Sequence, residues 1–250
     1  MDKIILGPCA LESITSSIKI IEDILPLVSG KDYYFKASFD KANRTSINSY
    51  RGLGIQDSVR IFKQLKELYP SLQITTDVHT LEQVAYLKDQ KVVDLIQIPA
   101  FLCRQTDLVT TCGSSFKKVN IKKGQWLSPD KVQHIVEKIK HNNPDTEVWI
   151  TERGTTFGYN RLLVDFSAVD TLKSYADKVI LDCTHSTQYS INDSFTSGDK
   201  ELAKKYLQSA KIFGFDGVFA EIHPEPLKAI SDKHSQIELD WIVNNFNKII

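Results

Sequence analysis

Hydrophobic residues along the chain fall into two alternating kinds of segment: short continuous runs and longer stretches with helical spacing. The run at 93–98 is typical of a strand that is buried on both faces. Ile14, Ile18, Ile21 and Leu25 instead recur every three or four residues, as on one face of an amphipathic helix. The continuous runs predict eight strands, at residues 3–6, 33–37, 73–78, 93–98, 118–121, 148–151, 179–181 and 217–220.

A helical segment follows each predicted strand. These segments lie at residues 13–28, 55–68, from 81, around 107, 130–141, 165–176, 200–213 and 237–249. Eight strand–helix units in 250 residues predict an α/β fold, a (β/α)8 TIM barrel in which residues 1–250 form a single catalytic domain. The alternative is an open doubly wound sheet, which would carry a glycine-rich GxGxxG turn that this sequence lacks.

Composition narrows the classes of function. The 31 basic and 31 acidic residues give a net charge of zero, which argues against a nucleic-acid-binding protein. No apolar run reaches the roughly 18 residues that a membrane-spanning helix needs. The start of the chain, MDKIILGPCALES, is interpreted as a first strand and not as a signal peptide. The four cysteines form no CxxC pair, which predicts reduced thiols and a cytoplasmic protein.

Polar residues close all eight predicted strands, directly after their apolar bodies. They occupy positions 8–9, 36–38, 77–79, 97–99, 122–123, 152–153, 182–185 and 221–223. In a barrel of this type the carboxyl ends of all strands meet at one mouth, so we predict the active site there. Two histidines at these ends, His79 and His223, are assigned by the sequence neither to the site nor to the scaffold.

The segment 35–52, FKASFDKANRTSINSYRG, changes from an apolar strand into a cationic loop. It holds one acid, Asp40, and four cations, Lys36, Lys41, Arg44 and Arg51. A solvated basic loop would explain such a run by itself. The polar ends of the other strands favour an anionic ligand instead, because guanidinium and ammonium groups bind phosphates and carboxylates.

Cations from different strands are expected to meet at the same mouth. Lys36, Lys41, Lys122 and Arg153 would converge on one side of it. Four crowded cations repel one another unless an anion is present. We therefore predict a multiply charged ligand, such as a phosphorylated acid.

Four residues carry the donor atoms of a divalent metal site. Cys9, His185, Glu221 and Asp232 offer a thiolate, an imidazole and two carboxylates, a set that suits Zn, Fe, Mn or Co. Their scattered positions give no ligand-spacing motif. The alternative for Cys9 is a small buried hydrophobic residue.

Seven segments that span nearly the whole chain carry a family resemblance: FKASFDKANRTSINSYRG, TTDVH, IQIPAFLCRQTDL, VNIKKGQ, TERGTTFGYN, DCTHSTQ and FAEIHPEP. Together they resemble the 3-deoxy-D-manno-octulosonate 8-phosphate synthase family. The resemblance implies condensation of phosphoenolpyruvate with D-arabinose 5-phosphate and water, which yields the eight-carbon sugar-acid phosphate and inorganic phosphate. It also implies a homotetrameric (β/α)8 barrel, and a pathway that supplies the inner-core sugar of lipopolysaccharide.

The matched segments imply a role for each candidate residue. Phosphoenolpyruvate would be bound by Lys36, Ser38, Lys122 and Arg153, with Gln97 close by. Lys41 and Asn43 would lie where both substrates meet. Arg44 and Thr45 would hold the aldose phosphate, reaching in from a neighbouring subunit. The metal ligands of the metal-dependent branch would be Cys9, His185, Glu221 and Asp232; the metal-independent branch has Asn in place of Cys9. The catalytic groups would be Lys41, His185, Cys9 and Asp232, with Lys41 donating a proton to the developing alkoxide.

The loop at 190–201 departs from the family pattern. Ser197, Gly198, Asp199 and Lys200 stand where the family often has a Gly-Gly pair followed by Arg. The sequence leaves open whether Lys200 replaces that Arg. The role of this loop in phosphate binding is therefore open as well.

Other functions are compatible with such a barrel. The nearest is 3-deoxy-D-arabino-heptulosonate 7-phosphate synthase, which uses erythrose 4-phosphate and typically has KPRTS where this chain has KANRTS. A Schiff-base aldolase would use Lys122 but would leave the metal set unexplained. A binding or regulatory subunit would have lost part of the matched set of residues. A zinc hydrolase of the amidohydrolase kind would have an HxH motif where Pro8 and Cys9 stand.

Overall fold

Eight parallel strands close into a barrel, which confirms the predicted (β/α)8 architecture. The computed structural model describes residues 1–44, 47–156, 158–192 and 195–249. In chain order the strands of this part are β1 (Lys3–Gly7), β2 (Asp32–Lys36), β3 (Gln73–Asp77), β4 (Leu95–Ile98), β5 (Lys118–Lys122), β6 (Glu147–Glu152), β7 (Lys178–Asp182), β8 (Tyr189–Asn192), β9 (Phe195–Ser197), β10 (Gly217–His223) and β11 (Ile237–Glu238). Strands β1 to β7 and β10 are neighbours in that order, and β1 pairs with both β2 and β10, which closes the ring.

Helices connect successive strands of the barrel. In the described ranges they are α1 (Ile14–Ile24), α2 (Ile55–Leu68), α3 (Leu81–Gln90), α4 (Thr106–Ser115), α5 (Val132–Lys140), α6 (Val169–Lys173), α7 (Lys200–Ser209) and α8 (Leu239–Asn245). Ser13 and Asp199 cap α1 and α7, since each side chain accepts a hydrogen bond from the backbone N–H three residues on. None of the helices described combines the length and the apolarity needed to cross a lipid bilayer.

The predicted elements differ from the observed ones mainly at their ends. All eight predicted strands form, and β10 continues to His223. Helix α1 stops at Ile24 and α7 at Ser209, while only Val169–Lys173 of the helix predicted at 165–176 is α-helical. The β8–β9 hairpin was not predicted, because its short segments contain no apolar run that would mark a strand.

Strand β1 joins the first and last parts of the chain. Gly7 at its end lies opposite Glu221 of β10. A side chain at Gly7 would overlap the backbone of Lys36 on β2, so glycine is what allows these two strands to approach closely. Cys9, two residues further on, therefore lies beside the ends of both neighbouring strands.

The barrel interior beneath the mouth is filled with apolar side chains. Because neighbouring strand residues point to opposite faces, one set packs under the helices and another faces inward. The inward set consists of Ile5, Tyr34, Leu95, Trp149, Ile180 and Phe219. Tyr34 and Trp149 pack edge to face, with ring centroids 5.2 Å apart. This cluster fills the barrel interior beneath the cleft.

Candidate active site

The carboxyl ends of the barrel strands surround a cleft of ≈ 200 Å³. Seven barrel strands contribute a polar side chain to its wall, at or near their ends: Lys36, Asp77, Gln97, Lys122, Arg153, Asp182 and Glu221. The predicted site residues Ser38, Lys41, Asn43 and His185 line the same wall. Thr45, which was predicted to bind the aldose phosphate, lies outside the described residues.

Acidic side chains lie between the cations of the cleft. Lys36 Nζ is 3.0 Å from Asp77 Oδ1 and donates a hydrogen bond to Ser38 Oγ at 2.7 Å. Lys41 Nζ is 3.6 Å from Glu221 Oε1. Repulsion among the lysines therefore does not by itself require a bound anion, because the chain supplies counter-charges to them. A ligand anion must compete with carboxylates for the same ammonium groups.

Arg153 is the cation of the cleft with the largest unmet hydrogen-bonding capacity. Its Nη2 donates to Gln188 Oε1 at 2.7 Å, whereas Nη1 is buried without a hydrogen-bond partner. In the described part of the chain, no carboxylate forms an ion pair with Arg153. A buried guanidinium with a free nitrogen is a ready donor for an anionic ligand.

Asp182 is a residue of the site that the sequence prediction missed. It is fully buried, and its Oδ2 accepts hydrogen bonds from Lys122 Nζ at 2.6 Å and from His185 Nδ1 at 2.8 Å. Its Oδ1 accepts the backbone N–H groups of Thr184 and His185, at 3.1 and 2.8 Å. The signal was the aspartate at the end of β7, three residues before His185, but only the fold shows that Lys122 meets it.

The buried position of this pair changes the proton affinity of both groups. Burial alone would raise the pKa of Asp182, but His185 and Lys122 outweigh it and hold that pKa well below its usual range. Burial lowers the pKa of Lys122 to about 8, although Asp182 opposes the shift. Lys122 is therefore a cation at neutral pH, but one that begins to lose its proton in mildly alkaline solution.

A chain of side-chain amides and hydroxyls orients Gln97 at the cleft. Thr151 Oγ1 donates to Asn120 Oδ1 at 2.7 Å, and Asn120 Nδ2 donates to Gln97 Oε1 at 3.2 Å. Because the carbonyl of Gln97 is occupied in this way, its amide nitrogen is left to donate toward the cleft.

Cys9, Glu221 and Asp232 form a group whose donor atoms all lie within 4.8 Å of one another. Cys9 Sγ is 2.6 Å from Asp232 Oδ2. His185 is not part of that tight group, but its Nε2 lies 3.6 Å from Glu221 Oε1. Because Nδ1 of His185 already contacts Asp182, Nε2 is the nitrogen left to face the group.

This donor set fits a divalent cation. Glu221 Oε2 is buried and has no hydrogen-bond partner, which leaves a carboxylate oxygen uncompensated. Burial and the Glu221 carboxylate raise the pKa of the Cys9 thiol well above its usual value. A cation would compensate the carboxylates and stabilise the thiolate, so the group has the chemistry of a site for a borderline-soft metal.

Asp232 is held in an unusual backbone conformation. Its φ of 50° lies in the left-handed region, which costs a non-glycine residue about 1 kcal/mol or more. The backbone N–H groups of Ser235 and Gln236 both donate to its carbonyl oxygen. Gln236 also accepts the backbone N–H of Cys9 at 3.3 Å. The loop therefore fixes Asp232 against Cys9 although the two residues are far apart in sequence.

The structure places three further residues, His79, His223 and Arg44, at different positions relative to the cleft. His79 lies in the cleft wall, where Nε2 contacts Asp77 Oδ2 at 3.1 Å and Nδ1 is buried without a partner. His223 instead contacts Glu12 at 3.2 Å and supports the loop after β10. Arg44 Nη1 lies 3.8 Å from Asp232 Oδ2 of the same chain, and its predicted role in the site of a neighbouring subunit stays a prediction.

Lys200 is not directed at the cleft. Its Nζ lies 2.5 Å from Glu238 Oε1, at the start of α7. The residue in the divergent 190–201 loop is thus engaged in an ion pair between α7 and β11. Nothing in this contact gives it the role of the family's Arg.

The sequence matches one protein family over almost its whole length. Residues 2–249 match the DAHP synthetase I family. The 2-dehydro-3-deoxyphosphooctonate aldolase of Geotalea daltonii is 40% identical over 240 residues, which cover 95% of this chain and 87% of that protein.

Two further proteins of the same name are comparably similar. The enzyme of Desulfotalea psychrophila is 40% identical over 247 residues, or 98% of this chain and 87% of that protein. That of Citrifermentans bemidjiense is 38% identical over 240 residues, or 95% of this chain and 86% of that protein. The similarity therefore extends over nearly the whole barrel.

Proposed function

The chain belongs to the DAHP synthetase I family, and we propose that within it the chain acts as its 2-dehydro-3-deoxyphosphooctonate aldolase relatives do. The reaction condenses phosphoenolpyruvate with D-arabinose 5-phosphate and water. The products are 3-deoxy-D-manno-octulosonate 8-phosphate and inorganic phosphate, and the product would enter lipopolysaccharide synthesis. The observation that carries the proposal is that cations from three different strand ends, Lys36, Lys122 and Arg153, line one cleft.

These three cations are suited to phosphoenolpyruvate. Its phosphate and carboxylate carry up to three negative charges, and Arg153 offers a free buried nitrogen to them. On binding, Lys36 replaces part of its contact with Asp77 by a contact with the substrate, and Lys122 does the same with its contact to Asp182. Because these acids stay in place, the cations remain oriented when the cleft is empty, and little reorganisation is needed on binding.

Lys41 is the proposed proton donor. Carbon 3 of the enol attacks the aldehyde of the sugar, water adds to carbon 2, and the tetrahedral intermediate loses phosphate by cleavage of its C–O bond. Burial alone would lower the pKa of Lys41, but Cys9, Glu221 and nearby acids outweigh it and raise that pKa. Lys41 is therefore protonated at neutral pH and able to protonate the alkoxide that forms on the sugar.

We further propose that Cys9, His185, Glu221 and Asp232 hold one divalent metal ion, of Zn, Fe, Mn or Co. When bound, such an ion would supply Lewis-acid stabilisation of charge on a substrate oxygen. The support is the compact donor group, with an uncompensated buried oxygen on Glu221. Nδ1 of His185, held by Asp182, fixes the ring so that Nε2 faces this group.

The assembly and location are also proposals. Large apolar side chains are exposed around the mouth, including Phe101, Trp126 and Leu227, which supports association of copies into a homotetramer. All four cysteines are free and buried, which supports a reducing, cytoplasmic environment.

The alternative aldose is erythrose 4-phosphate, since the name of the matching family covers the seven-carbon product. Ala42 and Asn43 favour the five-carbon aldose, because the seven-carbon enzymes typically carry KPR at this point of the loop. Asn43 also lines the cleft, where its amide is available to a sugar hydroxyl.

The test is phosphate release from phosphoenolpyruvate, measured alone, with arabinose 5-phosphate and with erythrose 4-phosphate. We expect release only with an aldose phosphate, and faster with the five-carbon sugar. Arg153→Met should reduce kcat/KM for phosphoenolpyruvate at least about 100-fold, since a charged hydrogen bond in a buried site is worth about 3 kcal/mol. Arg60→Met, which removes an exposed guanidinium of α2, is the control. Release without any aldose, or equal loss in both variants, would refute the proposal.

A further inference from the structure

Asp182 joins the two halves of the cleft through a single oxygen atom. Its Oδ2 accepts from Lys122, which belongs to the anion-binding side, and from His185, which belongs to the metal-binding side. The distances, 2.6 and 2.8 Å, are those of two strong charge-assisted hydrogen bonds. Asp232 Oδ2 and Glu221 Oε1 also lie between groups of both kinds, since Arg44 is 3.8 Å from the first and Lys41 is 3.6 Å from the second, but these two acids are themselves proposed metal ligands.

The Asp182 carboxylate cannot easily rotate to favour one of its two partners over the other. Its Oδ1 is fixed by two backbone N–H groups at the end of β7, and the whole side chain is buried. The partners are confined too: Lys122 Nζ sits 3.1 Å from the centre of the Phe219 ring, and His185 also packs against that ring. A stronger hydrogen bond from one donor to Oδ2 therefore weakens the hydrogen bond that the other donor makes to the same atom.

We propose that Asp182 is a positioning residue that couples occupancy of the anion site to occupancy of the metal site. The inference rests on the proposed function, because it takes phosphoenolpyruvate and a divalent cation as the two ligands. Each ligand is expected to increase the affinity of the protein for the other through the shared Oδ2 atom.

The direction of the coupling follows from hydrogen-bond chemistry. A cation on Nε2 of His185 withdraws electron density from the ring, so its Nδ1–H becomes a stronger donor to Asp182. Oδ2 then holds the ammonium of Lys122 less strongly, which frees more of its charge for a phosphate or carboxylate. In the other direction, an anion that draws Lys122 away leaves Oδ2 to His185, which makes Nε2 a better ligand.

Direct attraction between a dication and a multiply charged anion would also couple the two sites, so the test must separate it from the shared oxygen. Asp77 provides a matched comparison. It also holds a cleft lysine, since its Oδ1 contacts Lys36 Nζ at 3.0 Å, but its other partners are Ser38 and His79. Removing the charge of Asp77 changes the cleft electrostatics without touching His185.

The experiment measures phosphoenolpyruvate affinity by calorimetry in protein stripped with chelator and in protein loaded with Mn²⁺. Mn²⁺ affinity is measured with and without phosphoenolpyruvate, and both titrations must give the same coupling factor because linkage is reciprocal. For the wild type we expect about tenfold tighter binding of each ligand in the presence of the other. In Asp182→Asn the factor should fall to about 2 or less, whereas Asp77→Asn should keep most of it.

A second pair of variants keeps the proposal testable should Asp182→Asn not fold. Lys122→Met and Lys36→Met each remove one ammonium group from the anion site, but only Lys122 contacts Asp182. The coupling factor should be lost in Lys122→Met and kept in Lys36→Met. Equal coupling in both members of either pair, or none in the wild type, overturns the inference. Failure of the wild type to bind phosphoenolpyruvate or Mn²⁺ at all would instead overturn the proposed function.

Discussion

Individual residues of the cleft combine burial with charge. Lys36, Lys122 and Arg153 are each at most 7% exposed, and burying a cation without compensation is costly. Asp77 and Asp182 offset that cost for the two lysines. Sequence reasoning identified these cations correctly as cleft residues but not their partners, because ion pairs between different strands are visible only once the barrel is closed.

Loss of the Lys122 proton should lower the activity of the enzyme at alkaline pH. With a pKa lowered to about 8 by burial, its ammonium is charged below that pH and neutral above it, while Asp182, Lys36 and Glu221 surround it. We expect kcat/KM for phosphoenolpyruvate, which reports groups of the free enzyme, to fall as pH rises through about 8. In Lys122→Arg this alkaline decrease of kcat/KM should disappear, since a guanidinium stays charged. If the pH dependence of kcat/KM were unchanged in that variant, the alkaline decrease would belong to another group.

Cys9 should decide whether the protein depends on a metal. Chelation is expected to abolish activity, and Mn²⁺, Co²⁺, Fe²⁺ or Zn²⁺ to restore it to different degrees. Cys9→Ser should weaken metal binding at least about tenfold, because a hydroxyl replaces a thiolate at a borderline-soft ion. Cys112→Ser, at an equally buried thiol on α4, is the control and should bind metal normally. Full wild-type activity after exhaustive chelation, with no metal by elemental analysis, would contradict the metal assignment.

At the scale of elements, the barrel strands were predictable and some of their connections were not. Strands such as β4 and β7 are marked by short apolar runs, and α2 was predicted with the bounds it has, Ile55–Leu68. The β8–β9 hairpin and the 3₁₀ turn His185–Thr187 are short segments without a periodic hydrophobic pattern, so the sequence did not predict them.

The close approach of β1 and β2 gives a prediction about both stability and activity. Gly7→Ala would force the added methyl group against the Lys36 backbone, and overpacking of this kind costs about 1–3 kcal/mol. Because Cys9 follows and Lys36 lies opposite, activity should fall more than the loss of folded protein explains. Gly214→Ala strains a positive φ in open space, so thermal unfolding should shift while kcat/KM persists. If both variants lost stability and neither lost activity beyond its loss of folded protein, this contact would have no role in the site.

At the scale of the whole molecule, the site is assembled from parts of the chain that the sequence cannot connect. Cys9 and Asp232, which are in contact, are separated by 223 positions, and Lys122 and Asp182 by 60. Residue types and the predicted barrel bring such residues to one mouth, but which of them touch is set by strand register and loop conformation. The left-handed backbone of Asp232 is an example that no local pattern in the sequence indicates.

The most direct measurement of the central claim is a competition between the two aldoses. Wild-type protein is incubated with phosphoenolpyruvate and equal concentrations of arabinose 5-phosphate and erythrose 4-phosphate, and the sugar-acid products are separated by mass. The proposed function predicts that the eight-carbon product, 3-deoxy-octulosonate 8-phosphate, predominates from the earliest time points. A predominance of the seven-carbon product, or the absence of both, would contradict it.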